Sequence, residues 1–173
     1  PSGPRLSVGR GLTRLHTDGR VLCRRVGEGE RLHVAVVLDR SVSMEATFAD
    51  VASLAEAFAE VFKTAGADVV RVEFGRYSEA VPTFGENPLE GATYTDKGLD
   101  TALAALKGST RRACVVLTDG EATREKDCVR ACNDYHTARV PIMAIAYGCS
   151  ASGLRRTMPG ASVIEARDVS DLT

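Results

Sequence analysis

The sequence predicts an α/β fold, in which a mostly parallel sheet is covered by helices on both faces. Strand-like and helix-like segments alternate along the chain, and the strand-like ones are continuous apolar runs such as residues 34–38. Such runs are typical of parallel strands that are buried on both faces. Two of the runs end in an aspartate, Asp39 and Asp119. Ligands bind such sheets beyond the carboxyl ends of the strands, so the aspartates indicate where a site is expected.

The N-terminal part is predicted to form an appendage to the main domain. Residues 1–31 read as an arm with a small β-hairpin over 12–26, because Asp18-Gly19 is a dipeptide that tight hairpin turns prefer. The main domain is then expected over residues 32–173. Since the chain begins with Pro1 rather than Met, we expect an excised fragment or a processed form.

The main domain begins with a predicted strand at 32–38, followed by an amphipathic helix over 44–65. In this helix apolar residues recur at steps of three and four. The stripe expected to face the sheet is Phe48, Val51, Ala55, Phe58 and Phe62.

The remaining elements continue the alternation of strands and helices. They are, in order, a strand at 69–75, a short edge strand within 76–92, a helix marked by Leu99, Ala102, Leu103 and Leu106, a strand at 113–120, a helix with Cys128, Ala131, Cys132 and Tyr135 on one face, a strand at 141–148, a helix at 154–158 and a strand at 161–166. No internal repeat interrupts this order.

Composition narrows the class of protein. The 173 residues are 44% hydrophobic and 26% charged, which is typical of a globular domain, and the net charge of −1 provides no basic field for nucleic acid. No apolar run is long enough to span a bilayer, and no signal peptide opens the chain. The five cysteines are odd in number and scattered, which favours reduced thiols in a cytoplasmic protein over a disulfide framework.

Three oxygen side chains follow the first predicted strand at alternate positions: Asp39, Ser41 and Ser43. Mg²⁺ prefers about six oxygen ligands and usually keeps some waters, so one loop supplies only one side of its octahedron. A second loop at the same sheet edge should add oxygens, and residues 91–95 and 118–120 are available. The pattern therefore predicts a metal site, with helix capping by the hydroxyls as the simpler alternative.

The sequence lacks the motifs of several classes of enzyme. It contains neither a P-loop nor a GxSxG elbow, and the GEGERL stretch precedes a strand instead of opening a helix. A serine nucleophile needs a base, and the three histidines lie far from Ser41 and Ser43 in the sequence. Those histidines are His16, His33 and His136. We therefore expect a module that is not itself an enzyme.

The DxSxS motif after the first strand, a threonine before a helix and an aspartate ending a later strand together resemble the von Willebrand factor A family. Its signature is the metal-ion-dependent adhesion site. The resemblance covers about residues 32–168 and implies a three-layer, Rossmann-like fold. It also implies Mg²⁺, with Mn²⁺ or Ca²⁺ as alternatives. The implied ligands are Asp39, Ser41, Ser43, Thr93 and Asp119.

The resemblance selects among the threonines by spacing. In the family, the threonine lies five residues before a small residue and six before an aliphatic one, as Thr93 does before Gly98 and Leu99. Thr95 is the alternative. The family often has glycine between the two serines, where this chain has Val42.

Family precedent also implies a function. The hydroxyls touch the metal, the aspartates act largely through water, and an open coordination position takes a carboxylate from an Asp or Glu of a protein partner. Residues 9–25, followed by VVLDRSVSM, resemble the segment leading into the A domain of the CobT-type cobaltochelatase subunit. That implies an AAA+ ATPase of the MoxR or chelatase class as partner. A closing helix commonly ends the family's domain, and we expect it to be missing here. An adhesion or surface module is the alternative, and a metal-dependent hydrolase a weaker one.

Two further features leave open alternatives. Arg40 either steers an acidic partner or is a solvated side chain. Cys128, Cys132 and His136 recur at every fourth position, which suits either a soft metal or simple packing of small thiols, with packing favoured.

Overall fold

A computed structural model describes residues 31–120 and 122–166 of the chain. The strands are β1 (His33–Asp39), β2 (Asp68–Phe74), β3 (Ser78–Val81), β4 (Arg112–Thr118), β5 (Ile142–Tyr147) and β6 (Ser162–Ala166). The helices are α1 (Phe48–Thr64), α2 (Thr95–Ala105), α3 (Glu125–Thr137) and α4 (Ala151–Thr157), with a short 3₁₀ turn at Val42–Met44. The predicted hairpin at 12–26 and the region of a closing helix after 166 lie outside the described residues.

The six strands form one sheet in the order β3-β2-β1-β4-β5-β6. Every neighbouring pair is parallel except β2 with the edge strand β3. The chain runs outward from β1 through β2 to β3, and then outward on the other side from β4 to β6. The strand order thus reverses between β1 and β4, and the crevice at their carboxyl ends is where such folds bind ligands. The α/β prediction is confirmed.

Three of the four helices cover one face of the sheet. Buried residues of α2, α3 and α4 pack with those of the four central strands in a single apolar cluster. The predicted apolar face of α3 is buried throughout, and the Tyr135 hydroxyl of that face donates a 3.0 Å hydrogen bond to the Leu99 carbonyl of α2. None of the helices in the described part is long and apolar enough to cross a membrane.

Helix α1 covers the opposite face alone among these four helices, and its predicted stripe needs correction. Val51, Ala55 and Phe62 are buried as expected, but Phe48 and Phe58 are only half-buried. No other described helix lies beside α1 to cover their rings. The buried face also includes three residues that the stripe omitted: Ala52, Leu54 and Ala59.

The thiols of α3 are packing residues. Cys128 and Cys132 are buried in the core, whereas His136 is exposed. No group of three His, Cys, Asp or Glu side chains that could hold a metal exists in residues 31–120 and 122–166. The soft-metal alternative therefore has no support.

Candidate metal centre

Asp39 and Asp119 lie at the switch point between β1 and β4. Asp39 is the last residue of β1, and Asp119 follows the last residue of β4 directly. In the register of these parallel strands, Leu38 pairs with Leu117, so the two aspartates leave the sheet at the same edge. The expectation that both carboxylates share one edge is confirmed.

Asp39 is held in a fixed position by two hydrogen bonds. Its side chain is fully buried, its Oδ1 accepts from the Ser41 amide at 2.8 Å, and its Oδ2 accepts from the Thr118 hydroxyl at 2.5 Å. Both carboxylate oxygens are therefore engaged within the protein. Thr118 lies in the range 118–120 that was expected to supply oxygens, but its bond to Asp39 was not predicted.

A run of side-chain oxygens connects the first loop to Asp119. The hydroxyls of Ser41 and Ser43 are 2.9 Å apart, and the Ser43 hydroxyl donates to Oδ1 of Asp119 at 3.0 Å. Ser41 is buried, whereas Ser43 is exposed. The run therefore begins inside the protein and ends at its surface.

Burial disfavours the ionised form of both aspartates. It raises the pKa of Asp39 to about 6, although hydrogen bonds from Thr118 and Ser41 act in the opposite direction, and the nearby charge of Asp119 adds to the rise. Burial also raises the pKa of Asp119, while the bond from Ser43 opposes it. Two desolvated carboxylates with raised pKa values mark a site that a cation would stabilise.

The loop that carries Thr93 is joined to the loop after β4. The Thr93 amide donates to the Thr123 hydroxyl at 3.2 Å, and its carbonyl accepts from the Thr123 amide at 3.0 Å. Thr93 is thus paired by two hydrogen bonds with Thr123, which lies four residues after Asp119 in the chain, and no hydrogen bond among the described residues joins Thr93 to Asp119 itself. Thr93 is half-buried, whereas Thr95 is 1% exposed, and its hydroxyl has no hydrogen-bond partner among the described residues.

Packing explains why a small residue, Gly98, lies five positions after Thr93. Gly98 in α2 lies against the buried ring of Phe74 in β2, and a Cβ at position 98 would stand 2.7 Å from Cδ1 of that ring. Only glycine therefore allows α2 to approach β2 this closely. The approach in turn fixes where the helix begins and where the preceding Thr93 lies.

Arg40 anchors the loop that follows β1 from inside the protein. Both predicted roles for its side chain, steering an acidic partner and lying free in solvent, are wrong. Its side chain is buried and forms ion pairs with Glu79 at 3.3 Å and Glu90 at 3.1 Å. The backbone pairs as well: the Glu90 amide donates to the Arg40 carbonyl at 2.9 Å, and the Val42 amide donates to the Glu90 carbonyl at 2.8 Å. Arg40 is neither solvated nor available to a partner, because it joins the loop to the segment that leads to Thr93.

The spacing of the oxygens can be compared with the needs of an ion. Bonds of 2.0–2.1 Å in octahedral order around Mg²⁺ place adjacent ligand oxygens about 2.9 Å apart. The two contacts of Ser43, 2.9 Å to Ser41 and 3.0 Å to Asp119, are hydrogen bonds of about that length, so these oxygens need to move little to surround an ion. The oxygen donors present therefore fit a small divalent cation.

Comparisons with known proteins identify the fold. No family model matches the chain, and no curated protein matches its sequence. Among solved structures, proximal thread matrix protein 1 from the mussel byssus, with its MIDAS motif occupied by zinc, matches with a TM-score of 0.67 and 16% identity. The ArnB paralog VWA2 from Sulfolobus acidocaldarius matches with a TM-score of 0.58 and 17% identity.

The chain has the von Willebrand factor A fold. The alignments cover 83% and 84% of this chain but only 44% of each neighbour, so the chain spans less than half the length of these proteins. At such low identity the likeness concerns the fold. The resemblance predicted from the three motifs is confirmed at that level.

Proposed function

We propose that this chain is a metal-dependent protein-binding module. The observation that carries the proposal is the hydrogen-bonded run of oxygens from Ser41 through Ser43 to Asp119, which lies at the switch point. The residues proposed to hold the ion are Asp39, Ser41, Ser43, Thr93 and Asp119. We prefer Thr93 to Thr95 because Thr95, the first residue of α2, is buried.

Mg²⁺ is the proposed ion, with Mn²⁺ or Ca²⁺ as alternatives. Mg²⁺ usually keeps several waters and so needs few protein ligands, whereas Ca²⁺ takes about six to eight oxygens, so the small set of proposed residues suits Mg²⁺ better. The neighbour from the mussel byssus has zinc in its MIDAS motif. A divalent ion in a protein of the same fold supports a divalent ion here.

The proposed roles follow from the hydrogen bonds. The hydroxyls of Ser41 and Ser43 have lone pairs for direct contact, whereas both oxygens of Asp39 already accept bonds, which suits a carboxylate that acts through water. With neutral hydroxyls as its nearest ligands, a bound ion would supply a strong attraction for an anion. Because Ser43 lies at the surface, an ion bound there could be reached from outside the protein. The anion that we propose is the carboxylate of an Asp or Glu in another protein.

The partner that we propose is an AAA+ ATPase of the MoxR or chelatase class, and the module would be a non-catalytic subunit, as in CobT-type cobaltochelatases. The resemblance of residues 9–25 supports this choice. Among the described residues, His33 lies at the opposite end of β1, His136 lies in the last turn of α3, and neither is hydrogen-bonded to Ser41 as an activating base would be. A cytoplasmic location accords with the free thiols of the described cysteines.

An adhesion or surface module is the second candidate. It is favoured by the fold shared with a matrix protein of the mussel byssus. The gene next to the one that encodes this chain discriminates between the candidates. An adjacent AAA+ ATPase gene supports the first function, and a secretion signal or anchor in the complete gene supports the second.

The experiment measures the affinity of the chain for the adjacently encoded AAA+ ATPase, in Mg²⁺ and in EDTA. We expect EDTA to abolish binding. Asp39→Ala should remove the Mg²⁺ dependence while leaving the fold intact, Thr93→Ala should weaken binding, and Thr95→Ala should have less effect. Equal affinities in all variants and in EDTA would remove the metal from the mechanism and leave the hydroxyls as helix caps.

A further inference from the structure

An aromatic and cationic patch borders the candidate metal centre. We call Arg76, Tyr77, Tyr94 and Lys97 the Tyr77–Tyr94 patch. The Lys97 ammonium lies 4.9 Å from the centroid of the Tyr94 ring and 5.4 Å from that of Tyr77, and it donates to the Arg76 carbonyl at 2.8 Å. The two rings and the carbonyl thus hold a flexible lysine in one place.

The patch begins at the rim of the metal centre. Tyr94 follows Thr93 in the chain, and its amide donates to the Gly75 carbonyl at 3.0 Å, which ties it to the turn that carries Arg76 and Tyr77. On its other side, the Arg124 guanidinium lies 5.4 Å from the centroid of the Tyr94 ring. The same short segment therefore supplies a proposed ligand, Thr93, and half of the patch, Tyr94 and Lys97.

The patch carries two cations, Arg76 and Lys97. The carboxylate that contacts it, Glu90, accepts from the Tyr77 amide at 2.8 Å and is already paired with Arg40. Arg124 is paired with Asp96 and Asp127. By contrast, no carboxylate within residues 31–120 and 122–166 forms an ion pair with Arg76 or Lys97. Arg76 is exposed, and Tyr77 is 63% exposed.

We propose that the Tyr77–Tyr94 patch is a second anion subsite, which binds an acidic side chain close to the metal-binding carboxylate of the partner. This inference rests on the function proposed above. Alternate side chains of an extended segment share one side, so the second acid is expected an even number of residues from the first, with two as the shortest spacing. A lysine that is already ordered loses less rotamer entropy on binding than a free one.

The occupant is an acidic protein segment rather than a nucleic acid. The metal centre next to the patch suits a single carboxylate, which a peptide supplies together with a neighbouring acid. The chain as a whole has a net charge of −1 and so has no extended positive field for a polyanion. The exposed ring of Tyr77 and the half-buried ring of Tyr94 add contact area beside the cations for the stems of acidic side chains.

The test compares two synthetic Gly-Ser peptides by NMR titration of the whole chain in Mg²⁺. One carries a single Asp, and the other carries an additional Glu two residues after it. We expect the second peptide to bind about two- to fivefold more tightly, since exposed pairs contribute modestly. The gain should shrink as salt is raised. Lys97→Gln and Arg76→Gln should each reduce it, while Lys107→Gln, an exposed lysine beyond the far end of α2, should not.

The outcomes separate the two proposals. If both peptides bind equally and EDTA still abolishes binding, the second subsite is wrong and the metal-dependent function stands. If the single-Asp peptide binds equally well in EDTA, the metal-dependent function is wrong, and the subsite inference fails with it. If a thymidine oligonucleotide binds more tightly than the two-acid peptide and depends on Arg76 and Lys97, the acidic protein segment is the wrong occupant. Unchanged melting temperatures of the variants confirm that they fold.

Discussion

The hydroxyl of Thr118 donates a hydrogen bond to Oδ2 of Asp39, and so joins the last residues of two neighbouring parallel strands. Both side chains are fully buried. A hydrogen bond to a carboxylate is stronger than one between neutral groups, and it fixes the direction in which the acid faces. The bond therefore orients the proposed metal-binding carboxylate from within the sheet.

Thr118→Val tests this orienting role, since it removes the hydroxyl and keeps the shape. We expect the affinity for Mg²⁺, measured by titration calorimetry, to fall about tenfold, which is typical of losing a partner that orients a metal ligand. Thr157→Val is the matched control, because that buried threonine bonds only to helix carbonyls of α4. An unchanged Mg²⁺ affinity in Thr118→Val would contradict the role.

The stability of the metal-free protein should fall between pH 5 and pH 7. The pKa of Asp39 is raised from 3.8 to about 6, so at pH 5 the folded chain keeps a proton that the unfolded chain has already released, and the folded chain loses it as pH rises through 6. The unfolding free energy thus decreases by about 1.3 kcal/mol between pH 5 and pH 7. The pKa of Glu56 is lowered from 4.5 by Arg71, so stability from that pair is lost only at more acidic pH.

The measurement is thermal unfolding in EDTA at pH 5 and pH 7, for the wild type and Asp39→Asn. The variant should lose most of the difference between the two pH values. Adding Mg²⁺ at pH 7 should raise the melting temperature of the wild type, because the ion favours ionised carboxylates. A flat pH profile of the wild type in EDTA would show that Asp39 ionises freely.

Arg40→Met should destabilise the fold by about 1–3 kcal/mol, less than for a fully buried pair because Glu79 is half-exposed. The substitution leaves Glu90 without its cation beneath the first loop. Denaturant unfolding measures the loss. Arg130→Met is the control, since its pairs with Asp100 and Asp134 are exposed and should contribute little. Equal losses for the two variants would show that the ion pairs of Arg40 stabilise the fold no more than exposed ion pairs do.

On α1, the structure reassigns the residue whose truncation costs most. Phe62 is 4% exposed, whereas Phe58 is half-buried. Phe62→Ala should cost about 3–5 kcal/mol in unfolding free energy, and Phe58→Ala clearly less. Urea unfolding of the two variants measures the difference. A larger loss for Phe58→Ala would mean that the side of α1 that carries Phe58, rather than the side that carries Phe62, packs on the sheet.

The sequence was sufficient for the fold because parallel strands and amphipathic helices leave local patterns. It also located the oxygens of Asp39, Ser41, Ser43 and Asp119, since all four lie at or just after strand ends. It could not reveal the partners of Arg40, because Glu79 and Glu90 lie about 40 and 50 residues away and meet it only through tertiary pairing. The bond from Thr118 was missed for a similar reason: a threonine at a strand end has no local signal for a bond to Asp39.

Gly98→Ala links helix packing to the metal centre. In an ordinary helix this change stabilises by about 0.5–1 kcal/mol. Here the new methyl would stand 2.7 Å from the Phe74 ring, so α2 must move away from β2. We expect a net destabilisation of about 1–3 kcal/mol. Mg²⁺ affinity should weaken too, because the helix positions the loop that carries Thr93.

Two further variants make this result specific. Gly91→Ala changes the same loop at a position with nothing within 4 Å of the new Cβ, and should leave Mg²⁺ affinity unchanged. Phe74→Leu in the Gly98→Ala background shortens the obstructing side chain, so part of the lost Mg²⁺ affinity should return although the core loses volume. Calorimetric titration of all four proteins gives the comparison. If Gly98→Ala alone binds Mg²⁺ as the wild type does, the approach of α2 to β2 does not position Thr93.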